Sequence, residues 1–329
     1  MSVALADIQR AAERIGFIVH RTPVLTSRTF NRNTGVEAFF KCENFQLGGA
    51  FKIRGAANFI YSIPTSDLPR GVVAFSSGNH AQAVAIAARS ANTPATIVMP
   101  LDSPRSKLEA TRNYGAKIVS YDRLRENREA IGQRIAGESG ATLVPPYDHD
   151  WTITGQGTVA LELLEQVREL DTLVVCIGGG GLISGCATVA KSLNPKIRVI
   201  GVEPEKANDT YLSRQQNRRV EIPPPDTIAD GLRSPMPGAI TFPIIQKLVD
   251  DIVLVSEDEI REAMRFFLGR MKIVVEPSGA TAPAAVMFGK IPGGAKRVGV
   301  VISGGNVDLE LLASIAVAGQ SVPGTDTAA

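Results

Sequence analysis

From Val72 onward, short β-branched runs alternate with helical ones, and this alternation constrains the fold more than any other feature of the chain. VVAFSS leads into HAQAVAIAARSA, ATIVMP into SPRSKLEATRNYG, and AKIVSY into RENREAIGQRIAGESG, after which ATLVPP follows. Units of about thirty residues that pass from strand pattern to helix pattern build a parallel sheet covered by helices. A second series begins after Gly155, with a helix through ALELLEQV, the strand TLVVC, and a helix from Leu182. IRVIGVEP, DIVLVS, a helix through EIREAMRFFLGRM, and RVGVVIS continue it. Two such series predict two α/β domains, with the active site in the crevice at the carboxyl ends of the strands.

The chain opens with an amphipathic helix, since Leu5, Ile8, Ala12 and Ile15 recur at helical spacing. AFFKCENF then reads as a strand, and a further helix starts after Gly48-Gly49, near Phe51. Pro223–Pro225 and Ser234–Gly238 read as loops, and the closing GQSVPGTDTAA is expected to be frayed. No repeat of fixed period occurs. Asp7 and Glu13 interrupt the N-terminal segment, which therefore does not read as a signal peptide. The glycines inside Thr172–Ala190 argue against a membrane helix there, so a cytoplasmic location is expected. With 35 basic and 33 acidic residues, the net charge of +2 carries no footprint for nucleic acid or an anionic membrane. Cys42, Cys176 and Cys186 form no CxxC pair, and the three histidines, His20, His80 and His149, offer no zinc spacing.

TLVVCIGGGGLISG joins a strand, four consecutive glycines and a helix start. Such a run turns backbone N–H groups onto an anion, and the helix N-terminus adds its positive end. A tight turn without a ligand is the plainer alternative, but four glycines exceed what a turn needs. No Gly-Lys-Ser/Thr follows, and Ile183 and Ser184 stand where a dinucleotide loop needs Gly or Ala, so a compact phosphate monoester fits better. Lys52, in GGAFKIRGA, begins a helix in apolar surroundings. An unsolvated amine there would have a depressed pKa suited to a Schiff base, whereas a snorkelling surface lysine is the commoner arrangement. A phosphate loop together with such a lysine points to pyridoxal phosphate, which needs both. In FSSGNHAQA, Ser76 and Ser77 offer hydroxyls at a helix N-terminus, Gly78 permits close backbone approach, and Asn79 adds an amide. The loop, with His80 next to it, could grip a substrate carboxylate. An ordinary N-cap would explain one of these residues but not all. Ser303, in VVISGGNVD, lies at the carboxyl end of another strand.

KCENFQLGGAFKIRGA, SSGNHAQA, GQGT, GGGGLISG, GVEPEKANDTY, TIADGLR and SGGNVD occur in this order between residues 41 and 308. The chain thereby resembles the serine/threonine dehydratase and serine racemase family of fold-type II pyridoxal phosphate enzymes (tryptophan synthase β-like). The resemblance implies that Lys52 holds the cofactor covalently and takes the substrate's α-proton, with Phe51 packed beside the ring. Asn79 would bond the ring hydroxyl, Gly178, Gly179, Gly180, Gly181 and Leu182 would cradle the phosphate, and Ser303 would face the ring nitrogen. A neutral serine there does not enforce a protonated pyridine, which favours prompt loss of a β-leaving group. Ser77 matches the second acid/base of the serine racemases, where many threonine dehydratases of the family have Ala. Glu203, Ala207 and Asp209 match the family's divalent-cation site for Mg²⁺ or Ca²⁺. Two carboxylates and a carbonyl suit a hard ion, although without the resemblance the residues read better as two solvated loop acids. Ala50 departs from the commoner Ser before Phe-Lys. Beyond residue 308 only a short helix and tail are read, which argues against a feedback-controlled biosynthetic threonine deaminase.

The expected fold is therefore α/β with two parallel-sheet domains. Residues 1–65 and 149–329 would form the large cofactor-binding domain, and 66–148 a small mobile one inserted in it. The expected reaction is α,β-elimination from a β-hydroxy amino acid (L-threonine, L-serine or 3-hydroxyaspartate) to a 2-oxo acid and ammonia, by a homodimer. Serine racemisation is the near alternative. β-Replacement with a second substrate and non-catalytic storage of pyridoxal phosphate are remoter ones.

Overall fold

A computed structural model describes residues 3–103, 105–122 and 124–318, so the tail expected to fray lies outside the described residues. In chain order the described elements are α1 (Leu5–Ile15), β1 (Val24–Leu25), α2 (Arg28–Thr34), β2 (Glu37–Cys42), α3 (Lys52–Ile60), β3 (Val72–Phe75) and α4 (Asn79–Ser90). There follow β4 (Ala95–Pro100), α5 (Arg105–Asn113), β5 (Lys117–Tyr121), α6 (Arg128–Ser139), β6 (Thr142–Leu143), α7 (Asp150–Gln166), β7 (Thr172–Cys176) and α8 (Gly181–Leu193). The chain closes with β8 (Arg198–Pro204), α9 (Asp209–Gln215), α10 (Thr241–Leu248), β9 (Asp251–Val255), α11 (Glu257–Phe266), α12 (Pro277–Met287), β10 (Arg297–Ile302) and α13 (Leu309–Val317).

The strands form two sheets, one ordered β1-β2-β10-β7-β8-β9 and the other β5-β4-β3-β6. Every pairing is parallel except β1 with β2. The six-stranded sheet thus draws on both ends of the sequence, and the four-stranded sheet lies wholly between residues 72 and 143. β7 is buried at every position, as a central parallel strand covered on both faces must be. Each sheet has its own apolar core, and the buried face of α3 packs with α4 in the core of the smaller one.

Two differences from the sequence reading have clear causes. α7 starts at Asp150, ahead of Gly155, and carries GQGT within it. Those glycines serve close helix contact: a Cβ on Gly155 would fall 2.3 Å from the Arg54 carbonyl, and one on Gly157 3.1 Å from Gly185 of α8. α12 was not foreseen because Pro277–Val286 are all buried, so no polar face marks a helical period.

Behind α3 lies a closed ion network. Arg54 donates to both oxygens of Glu43 (2.7 and 2.9 Å) and of Glu162 (2.7 and 2.9 Å), and Lys41 Nζ reaches Glu162 at 2.6 Å. Arg54, Glu43 and Lys41 are fully buried. Removing one member strands its partners' charge, so Arg54→Ala should cost about 3–5 kcal/mol of unfolding free energy. Urea denaturation measures it, and a loss under about 1 kcal/mol would show that the network is not the clamp inferred here.

Candidate active site

β2, β10 and β7 are adjacent in the larger sheet, and the loops after them carry the expected chemistry. The loop after β2 is zipped onto the end of β10. Phe51 N donates to Ser303 O (3.0 Å), Gly305 N to Gly49 O (2.9 Å), and Asn306 Nδ2 to Gly48 O (2.7 Å). Ala50 pairs with Gly304 in an isolated bridge. This zipper delivers Lys52 to the first position of α3, where its Nζ donates to Pro146 O at 2.9 Å. The residue as a whole is half-buried, with its amine end the enclosed part. Burial, against weaker opposing pulls from Cys176 and Glu276, lowers its pKa to about 8.

Gly178–Leu182 run from the end of β7 into the first turn of α8, with Gly180 at φ 92°. A Cβ on Gly179 would lie 2.3 Å from the Tyr147 ring, and one on Gly181 2.4 Å from Gln156 Oε1. No larger residue fits there. Among the described residues nothing accepts a hydrogen bond from the N–H groups of Gly178, Gly179 or Gly180. Free donors at the N-terminus of a thirteen-residue helix fit a phosphate, and Lys52 fits the aldehyde of the same cofactor.

Ser76, Ser77 and Gly78 link β3 to α4, whose first residue is Asn79. Gly78 N donates to Ser76 Oγ (3.2 Å), and a Cβ on Gly78 would meet nothing within 4 Å, so its backbone faces open space. Asn79 Nδ2 donates to Glu276 Oε1 (2.8 Å), and its Oδ1 accepts from Asn306 Nδ2 (2.9 Å), which fixes the amide's orientation. Ser303 is buried near Cys176, whose thiol pKa is raised by burial to about 11. His80 is buried, with Nε2 3.0 Å from Val144 O. Burial first, and then the charge of Lys52, lowers its pKa to about 3, so the ring is neutral. With the proton on Nε2 facing that carbonyl, His80 offers a ligand only its Nδ1.

Glu203, at the end of β8, and Asp209, at the start of α9, are both fully buried. Glu203 accepts from the N–H groups of Thr210 (3.1 Å) and Tyr211 (2.8 Å). Both Asp209 oxygens are buried without a hydrogen-bond partner, and burial holds both carboxyls well above the usual range. Ala207 is also buried in the loop between them. No group of three or more His, Cys, Asp or Glu side chains among the described residues could hold a metal. A buried carboxylate pair, with both Asp209 oxygens unpartnered, and a neighbouring carbonyl nonetheless suit a hard cation that takes waters as its remaining ligands.

Sequence motifs did not single out Pro146, Tyr147, Glu276 or Asn306, all of which contact the expected residues. Asn306 stood inside SGGNVD unremarked. Glu276, across 197 positions from Asn79, gave no local signal.

A lysine with a lowered pKa and a glycine cradle at the carboxyl ends of a parallel sheet have the chemistry that a pyridoxal phosphate site needs. Residues 15–304 match the pyridoxal-phosphate dependent enzyme family, and the chain belongs to it. It is 50% identical over 309 residues to an L-threo-3-hydroxyaspartate ammonia-lyase of Pseudomonas sp, covering 94% of this chain and 97% of that one. It is 48% identical over 304 residues to a serine racemase of Schizosaccharomyces pombe, covering 92% and 94%. The structure of maize serine racemase superposes with a TM-score of 0.92 at 44% identity, over 95% of this chain and 97% of that one. Among the described residues no helix is long and apolar enough to cross a membrane.

Proposed function

We propose that the protein is an ammonia-lyase that removes water from a β-hydroxy amino acid and releases a 2-oxo acid and ammonia. L-threo-3-Hydroxyaspartate, L-serine and L-threonine are the candidate substrates. The observation that carries this reading is the enclosed Lys52 amine, with its pKa of about 8, beside the cradle of Gly178–Leu182. The 50% identity to a 3-hydroxyaspartate ammonia-lyase supports the substrate class.

Pyridoxal phosphate, when bound, supplies the electron sink that makes the substrate's α-proton acidic. The chain's own residues do the rest. The N–H groups of Ser77 and Asn79 and the hydroxyls of Ser76 and Ser77 receive the substrate carboxylate at the N-terminus of α4. Lys52 Nζ takes the α-proton, and the Pro146 carbonyl steadies the amine. The Asn79 amide, held by Glu276 and Asn306, would donate to the cofactor's ring hydroxyl, and Phe51 would flank the ring. Ser303 would offer a neutral hydroxyl to the ring nitrogen. Closure of residues 66–148 as a small domain would exclude water before the β-hydroxyl leaves. The released aminoacrylate hydrolyses in solution.

Racemisation of serine is the second reading, favoured by Ser77 and by the 48% identity to a serine racemase. A steady-state panel of β-hydroxy amino acids, measuring oxo acid and D-isomer together, tests both. D-Serine formation far above oxo-acid formation would reverse their order. No turnover of any member would reject both.

Glu203, Ala207 and Asp209 belong to the same proposal as a Mg²⁺ or Ca²⁺ site that holds the fold. A chelator should lower activity and melting temperature together, and either ion should restore both. An unchanged melting curve in chelator, or a Glu203→Ala variant with normal metal response, would remove the site. A homodimer in the cytoplasm completes the proposal. Phe17 and Phe45, exposed at 68% and 45%, give such a dimer apolar surface to bury, and sedimentation would measure it.

A further inference from the structure

The strap of residues 144–149, which joins β6 to α7, carries an aspartate, Asp148, whose partners lie in the turn before α10. Asp148 Oδ1 accepts from Ile240 N (2.8 Å) and Thr241 N (3.2 Å), and its Oδ2 accepts from Ala239 N (2.8 Å). The carboxylate sits so close to this turn that a Cβ on Gly238 would fall 2.2 Å from Oδ1. The same turn grips the glycine loop from behind. Thr241 Oγ donates to Gly179 O at 2.7 Å, and Gly238 N donates to it at 3.3 Å.

We propose that Thr241 and Asp148 are positioning residues for the cofactor's phosphate: Thr241 pins the Gly179 carbonyl outward, and Asp148 locks the turn that carries Thr241. In a planar trans peptide the carbonyl and the following N–H point in opposite directions. Two donors on Gly179 O therefore aim the Gly180 N–H at the opposite side, into the cradle. Gly180, at φ 92°, has a soft backbone with no side chain to hold that peptide, so the restraint has to come from outside the loop. A carboxylate that collects three N–H groups is a strong anchor, because charge-assisted hydrogen bonds are the stronger kind. Both act through the backbone of the loop.

The proposal rests on the reading that Gly178–Leu182 take the phosphate, and affinities for pyridoxal phosphate and for pyridoxal, which lacks the phosphate, test it. Both are titrated into the cofactor-stripped protein, with wild type compared to Thr241→Val, Thr241→Ser and Asp148→Asn. Losing a hydrogen bond that orders a phosphate donor should weaken pyridoxal phosphate binding by about tenfold or more in Thr241→Val. Pyridoxal binding should stay within about threefold, and Thr241→Ser, which keeps the hydroxyl, should restore the phosphate preference. Asp148→Asn should move in the same direction as Thr241→Val. Equal weakening of both ligands would mean a general structural defect and would overturn the proposal, as would an unchanged preference in Thr241→Val. If Asp148→Asn fails to fold, the Thr241 pair still decides. Absence of lyase and racemase turnover in the wild type would sink the reaction proposed above without altering these affinities.

Discussion

Lys52→Ala should abolish both elimination and racemisation, reducing turnover by at least about 10⁴-fold, the upper range for loss of one positioned proton-transfer group. The variant should also lose covalent attachment of pyridoxal phosphate. Borohydride reduction of the wild type should fix the cofactor on Lys52, and mass spectrometry of the digest locates it. An adduct on another lysine would refute the site. Only a neutral amine attacks an aldehyde, so recapture of pyridoxal phosphate by the stripped protein should accelerate with pH around a midpoint near 8. The linkage has a definite sign. The folded pKa lies below the ordinary lysine value of 10.5, so between about pH 8 and 10.5 the unfolded chain holds more protons. The stripped wild type should therefore gain stability relative to Lys52→Ala as pH rises through that window. A midpoint near 10.5 would show that the amine is not enclosed.

Ser77→Ala is expected to separate the two activities. Elimination from an L-amino acid needs one base, on the Lys52 side. Forming a D-isomer needs a proton delivered from the other face, and Ser77 is the group that the motifs supply for it. The variant should lose racemisation and D-serine dehydration by about 10²–10⁴-fold while keeping part of its L-dehydratase rate. If Ser77 only organises the carboxylate-binding loop ahead of α4, alanine would weaken L-substrate binding and leave the ratio of D to L turnover unchanged. That ratio, in wild type and variant, decides.

The alternation of strand and helix patterns, the glycine run after TLVVC, and the family motifs around Lys52, Asn79 and Ser303 were all legible in the sequence. Each depends on residues close together in the chain, where spacing alone implies geometry. The helix around GQGT was read too short because its glycines look like breakers. In the fold they are the places where α3 and α8 press against α7. α12 escaped because a helix buried on all sides carries no polar–apolar period.

What only the tertiary structure decided is which distant residues complete the site. Glu276 orients Asn79, Pro146 takes the Lys52 amine, and Asp148 holds the turn whose Thr241 grips Gly179. None of these pairs is local, because strand order brings β2, β10 and β7 side by side although β10 lies far along the chain from both. A sequence specifies the donors and acceptors. Which of them meet depends on how the sheets stack the loops at their carboxyl ends, and that arrangement exists only once the two cores have packed.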